Sequence, residues 1–298
     1  MKKTNRRQFI QTSVAGLAGL AAFSSGFKGF DPAPAADTVD MVKLGNTGLS
    51  VSRIALGTGS GGWEKASNQT RLGTKQFVNL SQYAFDKGIK FFDTADMYGS
   101  HPYVGEALKV IPRDKVSILT KVMTEDHEGW YKVEPFQTSL DRFRKEIGTE
   151  YFDIFLLHCM TNGNWSTEFR KYMDDMSKAK EKGIIKTLGI SCHNMEAMVE
   201  AANNPWVDVL LARINYKGPK MDGTPDQVMK VLETARKNGK GVIGMKVFGM
   251  GDLIQEDQRE KSLNYVIKSG NVHCMTLGLE SREQVDDAVR RVMRIAKS

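Results

Sequence analysis

From Val51 onward, short runs that are apolar on both faces alternate with amphipathic stretches of helical period, and this alternation repeats eight times. The runs are 53–57 (RIALG), 89–93 (IKFFD), 116–121 (VSILTK), 152–158 (FDIFLLH), 185–190 (IKTLGI), 207–212 (VDVLLA), 241–246 (GVIGMK) and 272–277 (VHCMTL). Helical patterns lie near 74–88, 102–110, 135–147, 168–183, 194–203, 225–238, 258–269 and 281–297. A strand without a polar face must be covered on both sides, which is the condition of a parallel sheet under helices. Eight such units match the ~250 residues of a closed (β/α)8 TIM barrel. An open doubly wound sheet is the competitor, and GTGSGG at 57–62 satisfies its G-x-G-x-x-G fingerprint. That fingerprint must open a helix directly. Here residues 63–72 read as a polar loop and helical period begins at Thr74, so the glycines read as a flexible loop above the first strand. Ahead of the barrel, two short alternating segments flank Gly45-Asn46-Thr47-Gly48. They predict an N-terminal β-hairpin that closes the barrel floor.

The N-terminus reads differently. Residues 1–35 hold five bases (Lys2, Lys3, Arg6, Arg7, Lys28) against Asp31, a net +4 of the chain's +7, which leaves +3 for residues 36–298. So balanced a body gives nucleic acid nothing to bind. Arg6 and Arg7 precede a weakly apolar run from Val14 to Phe23, and Ala33 and Ala35 offer a small-x-small cleavage pattern. The run is too short for stable membrane insertion. It resembles a twin-arginine export signal, cleaved after Ala35, with an uncleaved anchor or Sec signal as the alternative. The expected organisation is a signal at 1–35 and one barrel domain at 36–298. The expected partner is the twin-arginine export machinery, and the expected location is the periplasm. Cys159, Cys192 and Cys274 are odd in number and without C-x-x-C spacing, which excludes a disulfide scaffold and the usual zinc patterns.

In a barrel of this kind chemistry gathers at the C-terminal ends of the strands. The second strand ends at Asp93 with Tyr98 five residues on, the third presents Lys121 and the fourth His158. These four make coherent acid–base chemistry. An ammonium beside a phenol stabilises phenolate and lowers its pKa, and a carboxylate holds the ammonium in place. A neutral histidine then orients a substrate oxygen on which charge develops as hydride arrives. The hydride itself requires a cofactor. No metal is expected, because strand tips lack paired carboxylates and histidines; His127 with Glu128 is a single loop pair.

DTADMYG, LTK and LLH, in that order, resemble the Asp–Tyr–Lys–His tetrad of the aldo-keto reductases, and LGNTGLSVSRIALGT is similar to that family's hairpin and first strand. The resemblance runs from about Val42 to the C-terminal helix. It implies a nicotinamide-dependent oxidoreductase acting on an aldehyde or ketone, possibly of a sugar, and the corresponding alcohol. Tyr98 is then the general acid, Lys121 and Asp93 its tuners, and His158 the orienting donor. A catalytically quiet barrel that senses cofactor is the alternative. The resemblance also implies dinucleotide contacts at Gly57, Thr58 and Asp93 and at Ser191 and Cys192. Arg213 and Tyr216 follow, one register placing Tyr216 under the nicotinamide. Lys246, Val247, Phe248, Gly249 and Gly251 would lie along the pyrophosphate, with Leu279, Ser281 and Gln284 on the adenosine side. The bases that clamp a 2′-phosphate are missing, with Gly278 and Gln284 in their places, so the cofactor is NADP or NAD. Loops at 160–167 and 251–258 would bound a wide, open pocket, and Trp63, Trp130 and Trp165 fall in top-face loops.

Overall fold

The computed structural model of this chain describes residues 38–127 and 129–298, and all structural statements below concern these residues. The leader readings at Arg6 and Arg7, the cleavage site and Glu128 lie outside them. β1 (Met41–Lys43) and β2 (Ser50–Ser52) pair antiparallel with Met41 opposite Ser52. Eight parallel strands follow: β3 (Ile54–Gly57), β4 (Phe91–Asp93), β5 (Ser117–Val122), β6 (Phe152–Met160), β7 (Ile185–Cys192), β8 (Val209–Arg213), β9 (Gly241–Met245) and β10 (Cys274–Gly278). Each pairs with the next, and β10 pairs with β3 to close the barrel. The architecture is therefore a (β/α)8 barrel, as the alternation predicts.

Ten helices accompany the strands: α1 (Asn68–Arg71), α2 (Thr74–Asp86), α3 (His101–Ala107), α4 (Phe136–Ile147), α5 (Trp165–Glu168), α6 (Arg170–Glu181), α7 (Met195–Asn203), α8 (Pro225–Lys237), α9 (Glu256–Lys268) and α10 (Arg282–Lys297). Several of them start on a capping side chain. Asn194 accepts from the Glu196 and Ala197 amides at the head of α7, and Thr224 with Gln227 forms a capping box ahead of Pro225. α1 and α5 escape a periodicity reading because four residues make barely one turn. α1 corrects the polar loop expected at 63–72, since Gln69 and Thr70 are buried within it. α5 corrects the expected placement of Trp165 in an open loop. Its indole is fully buried and donates to Ala197 O at 3.2 Å.

The doubly apolar strands divide their side chains between two cores. Ala55, Phe91, Leu119, Ile154 and Leu156 point into the barrel, while their neighbours Ile54, Leu56, Phe92, Ile118 and Phe155 pack under the helices. The barrel is thus a filled interior rather than a pore. The hairpin completes the inner core from below. Leu44 and Val51 are fully buried members of it. Gly241 at the start of β9 makes room, since a Cβ there would lie 2.7 Å from Leu44 Cγ. Leu44→Ala should empty that floor and cost roughly 2–5 kcal/mol. Urea unfolding should show a lowered midpoint at unchanged slope; an unmoved midpoint would mean the hairpin adds no packing.

Candidate active site

β4 is three residues long and delivers Asp93 to the barrel mouth, after which Thr94 and Ala95 lead into a 3-10 turn over Asp96–Tyr98. Gly99 ends that turn at φ 62, where a Cβ would overlap the Lys65 carbonyl. This is a position only glycine fills without strain. The loop after β3 closes over the turn. Thr58 donates to Asp93 O from both its amide (3.0 Å) and its hydroxyl (2.9 Å). Gly59 and Gly62 lie so close to the Tyr98 ring that a Cβ on either would overlap it. Gly59 and Gly62 of GTGSGG are therefore a packed cradle for Tyr98, which corrects the reading of these glycines as a flexible loop.

The structure brings the four predicted groups together. Lys121, fully buried on β5, forms an ion pair with Asp93, donates to Thr94 O at 2.9 Å and reaches the Tyr98 hydroxyl at 3.4 Å. His158, near the end of β6, meets the Tyr98 ring edge-on, with centroids 5.6 Å apart and planes at 85°. Electrostatics differ from expectation at one point. Burial, the Asp93 carboxylate and Cys159 push Tyr98 well above its ordinary value of 10.0 rather than below it. Burial outweighs the neighbouring ammonium, and the phenol stays protonated. His158 is driven well below 6.5, first by burial and then by the positive field of Lys121, and is neutral. Cys159, beside it at φ 60, sits 3.8 Å from His193 Nε2, and burial raises its thiol to about 11.

A second buried network lies next to the tetrad, and the sequence reading missed it. Asp96 accepts from Arg142 at 2.8 and 3.0 Å and from the Tyr131 hydroxyl at 2.9 Å, and it pairs with Lys65. Arg142 also donates to Glu134 at 2.9 Å and to Glu146 at 3.1 Å. His101 bridges Glu146 and the Thr120 hydroxyl. Asp96, His101 and Glu146 bring ligand atoms within 4.8 Å of one another, but the Arg142 guanidinium already meets both carboxylates with a cation. The only sequence signal was the second aspartate of DTADMYG.

A cleft of about 800 Å³ starts at Asp93 and Tyr98 and runs past the tips of β9 and β10 to α9 and α10. Of the residues named from the resemblance, Gly57, Asp93, Lys246, Val247, Phe248, Gly251, Leu279 and Gln284 line it. The other seven do not. Thr58 and Cys192 are fully buried, and Gly249 is buried in the turn after β9. Arg213 is ion-paired to Asp222. Ser281 caps α10, its hydroxyl accepting from the Gln284 amide. Ser191 is buried and Tyr216 half-buried, and neither reaches the cleft lining. Asn68, Arg259, Glu283 and Asp287 line the cleft without having been anticipated, beside Glu280, whose negative charge the sequence places next to the missing phosphate clamp. The cleft suits a dinucleotide in volume. Outside its lining, His158 Nδ1 beside the Tyr98 ring and His193 Nδ1 beyond it are buried without partners among the described residues, and such atoms ordinarily await a ligand or water. Beside Tyr98, Trp130 joins the small cluster of Met97, Met123 and Tyr131, and Trp63 packs against Trp130 at 4.8 Å while His127 stacks on it at 5.3 Å.

A closed parallel barrel whose strand tips set a buried lysine–carboxylate pair against a phenol and a neutral imidazole defines a barrel protein with its chemistry at the C-terminal face. The model of the aldo/keto reductase family matches residues 53–297, and the chain belongs to that family. It is 33% identical over 163 residues to probable aldo-keto reductase 1 of Glycine max, covering 51% of this chain and 45% of that protein. The chain thus spans about half the length of that relative. It is 25% identical over 254 residues to L-galactose dehydrogenase of Arabidopsis thaliana, covering 80% of this chain and 76% of that one. The fold is similar to that of an aldo-keto reductase of Bacillus halodurans in its holo form, with a TM-score of 0.67 at 18% identity over 87% of this chain and 94% of the other.

His193 is depressed to about 3, chiefly by burial, so it joins His158 in entering the native state uncharged. An unfolded chain takes up protons on both below pH ~6.5. The unfolded state then binds more protons, and stability falls as pH drops from there, by up to ~1.4 kcal/mol per pH unit for each histidine. Urea midpoints measured from pH 7.5 to 5 should decline, and His158→Asn should flatten the slope. A level profile in the parent chain would contradict neutral histidines.

Proposed function

We propose that this protein interconverts an aldehyde or ketone and its alcohol, with NAD or NADP in the cleft and Tyr98 as the proton donor. The observation that carries the reading is the contact of Lys121 with both Asp93 and the Tyr98 hydroxyl at the inner end of a dinucleotide-sized cleft. The dinucleotide, when bound, supplies a hydride, which no side chain can. The residues do the rest. A phenol is protonated at neutral pH, and burial weakens it further as an acid, so its transfer of a proton to the substrate oxygen rests on stabilisation of the phenolate by Lys121. As that proton leaves, the phenolate forms 3.4 Å from an ammonium fixed by a carboxylate and a carbonyl. Neutral His158 offers a hydrogen bond to the same oxygen, a donor in place before the charge develops.

The aromatic cluster of Trp63, His127 and Trp130, which shares packing with Tyr98, supports a flat or ring-shaped substrate, since aromatic faces pack on such rings. The name of the Arabidopsis relative makes sugars the first compounds to try. The Arg6–Arg7 leader supports export of the folded protein by the twin-arginine route to the periplasm.

Two experiments test these readings. Tyr98→Phe should lower kcat at least ~100-fold in NAD(P)H oxidation with a panel of aldehydes and ketoses, while nucleotide affinity barely changes. Retained turnover would move the acid to another group, and absent turnover in the parent chain would favour a cofactor-sensing barrel. Replacing Arg6 and Arg7 together by Lys should leave the precursor in the cytoplasm of the producing cell, as seen by fractionation and blotting. Mature protein still appearing outside would overturn the export reading.

A further inference from the structure

If the nicotinamide end of a dinucleotide meets Tyr98, as the proposed function requires, the cleft leaves one place for the adenosine end. It lies past the tip of β10, where residues of α9 and α10 form the walls. The charge of that region decides whether the adenosine ribose can carry a 2′-phosphate. Three carboxylates line it, Glu280, Glu283 and Asp287, against one base, Arg259. Arg259 is engaged: its Nη1 donates to Ile254 O at 2.5 Å, and its Nε stands 3.4 Å from Asp287. Arg282 is turned away, with its guanidinium 4.9 Å above the Tyr83 ring on α2. Gln284 spends its side-chain oxygen on the Glu280 amide at 2.7 Å. Nor is there room for a long base on the β10 tip. A Cβ at Gly278 would overlap the Ser60 hydroxyl, which Gln69 holds at 2.9 Å.

Glu280 is the one acid here tied to the opposite wall. Asn68, the first residue of α1, donates to its Oε1 at 2.8 Å, although the two are 212 residues apart in sequence. Its second oxygen has no partner among the described residues. A carboxylate oriented in this way accepts hydrogen bonds from a ribose diol. It repels a phosphate monoester carrying ~1.5–2 negative charges. Acidic side chains make the same discrimination in open-sheet dinucleotide folds.

We infer that Glu280, fixed by Asn68, selects NAD over NADP by accepting from the adenosine 2′-hydroxyl and opposing a 2′-phosphate. The test is calorimetric titration of the full chain with NADH and with NADPH at low and high ionic strength. NADPH should bind at least about tenfold more weakly than NADH, a gap near 1.4 kcal/mol, and added salt should narrow the gap because it screens repulsion. Glu280→Gln should reduce the gap to about threefold or less, and Glu280→Lys should invert the preference. Asn68→Ala keeps the charge and frees its rotamer, so NADH should weaken about two- to fivefold while NADPH stays disfavoured. Unchanged melting temperatures of these surface variants certify their folding. Equal or tighter NADPH binding in the parent chain, or a ratio indifferent to Glu280→Gln, would overturn the inference. If neither nucleotide binds, the nicotinamide reading falls and takes the inference with it, a result distinct from a wrong preference.

Discussion

The ion pair of Lys121 with Asp93 is the interaction on which the site depends. An ammonium with no exposed surface is costly to bury alone, and removing one member of such a pair leaves an uncompensated charge. The carboxylate answers the charge, the Thr94 carbonyl takes a second proton, and the remaining direction points at the Tyr98 hydroxyl. A hydrophobic replacement of similar volume would serve the fold as well or better. The pair therefore marks a place where chemistry, rather than packing, dictates the residues. Below it lies an apolar inner core that the hairpin residues Leu44 and Val51 close from the floor.

Most of the barrel was legible because doubly buried strands have a signature that survives without tertiary information. Every apolar run became a strand with ends shifted by about two residues, and each long amphipathic stretch became a helix. Short elements were illegible for a physical reason. Asn68–Arg71 and Trp165–Glu168 are too brief to show a period, and tertiary packing on Gln69, Thr70 and Trp165 holds them. The candidate site divided along similar lines. Asp93, Tyr98, Lys121 and His158 could be named because strand tips are points where a one-dimensional pattern predicts a three-dimensional meeting. Asp96 could not, since its partners Lys65, Tyr131 and Arg142 come from three separate segments with no common motif. The sign of the Tyr98 shift was equally hidden: it depends on burial, which outweighs the neighbouring lysine.

The glycines of the first loop show how one residue type can be misread through its freedom. The sequence pattern of Gly59 and Gly62 suggests flexibility, yet their service is the absence of a Cβ against an aromatic ring. Together with Thr58 and the Lys65 contacts, they fasten the loop after β3 to the turn that carries Tyr98. The phenol is held from above by backbone and from one side by an ion pair, so its position is set before any ligand arrives.

Closure of the barrel between β3 and β10 carries a consequence for the order in which this protein comes into being. The two walls of the outer cleft are contributed by opposite ends of the chain, Asn68 from one and Glu280 from the other. No partly synthesised chain can assemble both. Pairings that span such separations form slowly, because the entropy of closing the loop is spent before contacts repay it. A ligand that needs both walls can therefore be held only once β10 has docked on β3, so occupancy of the cleft would report closure of the barrel.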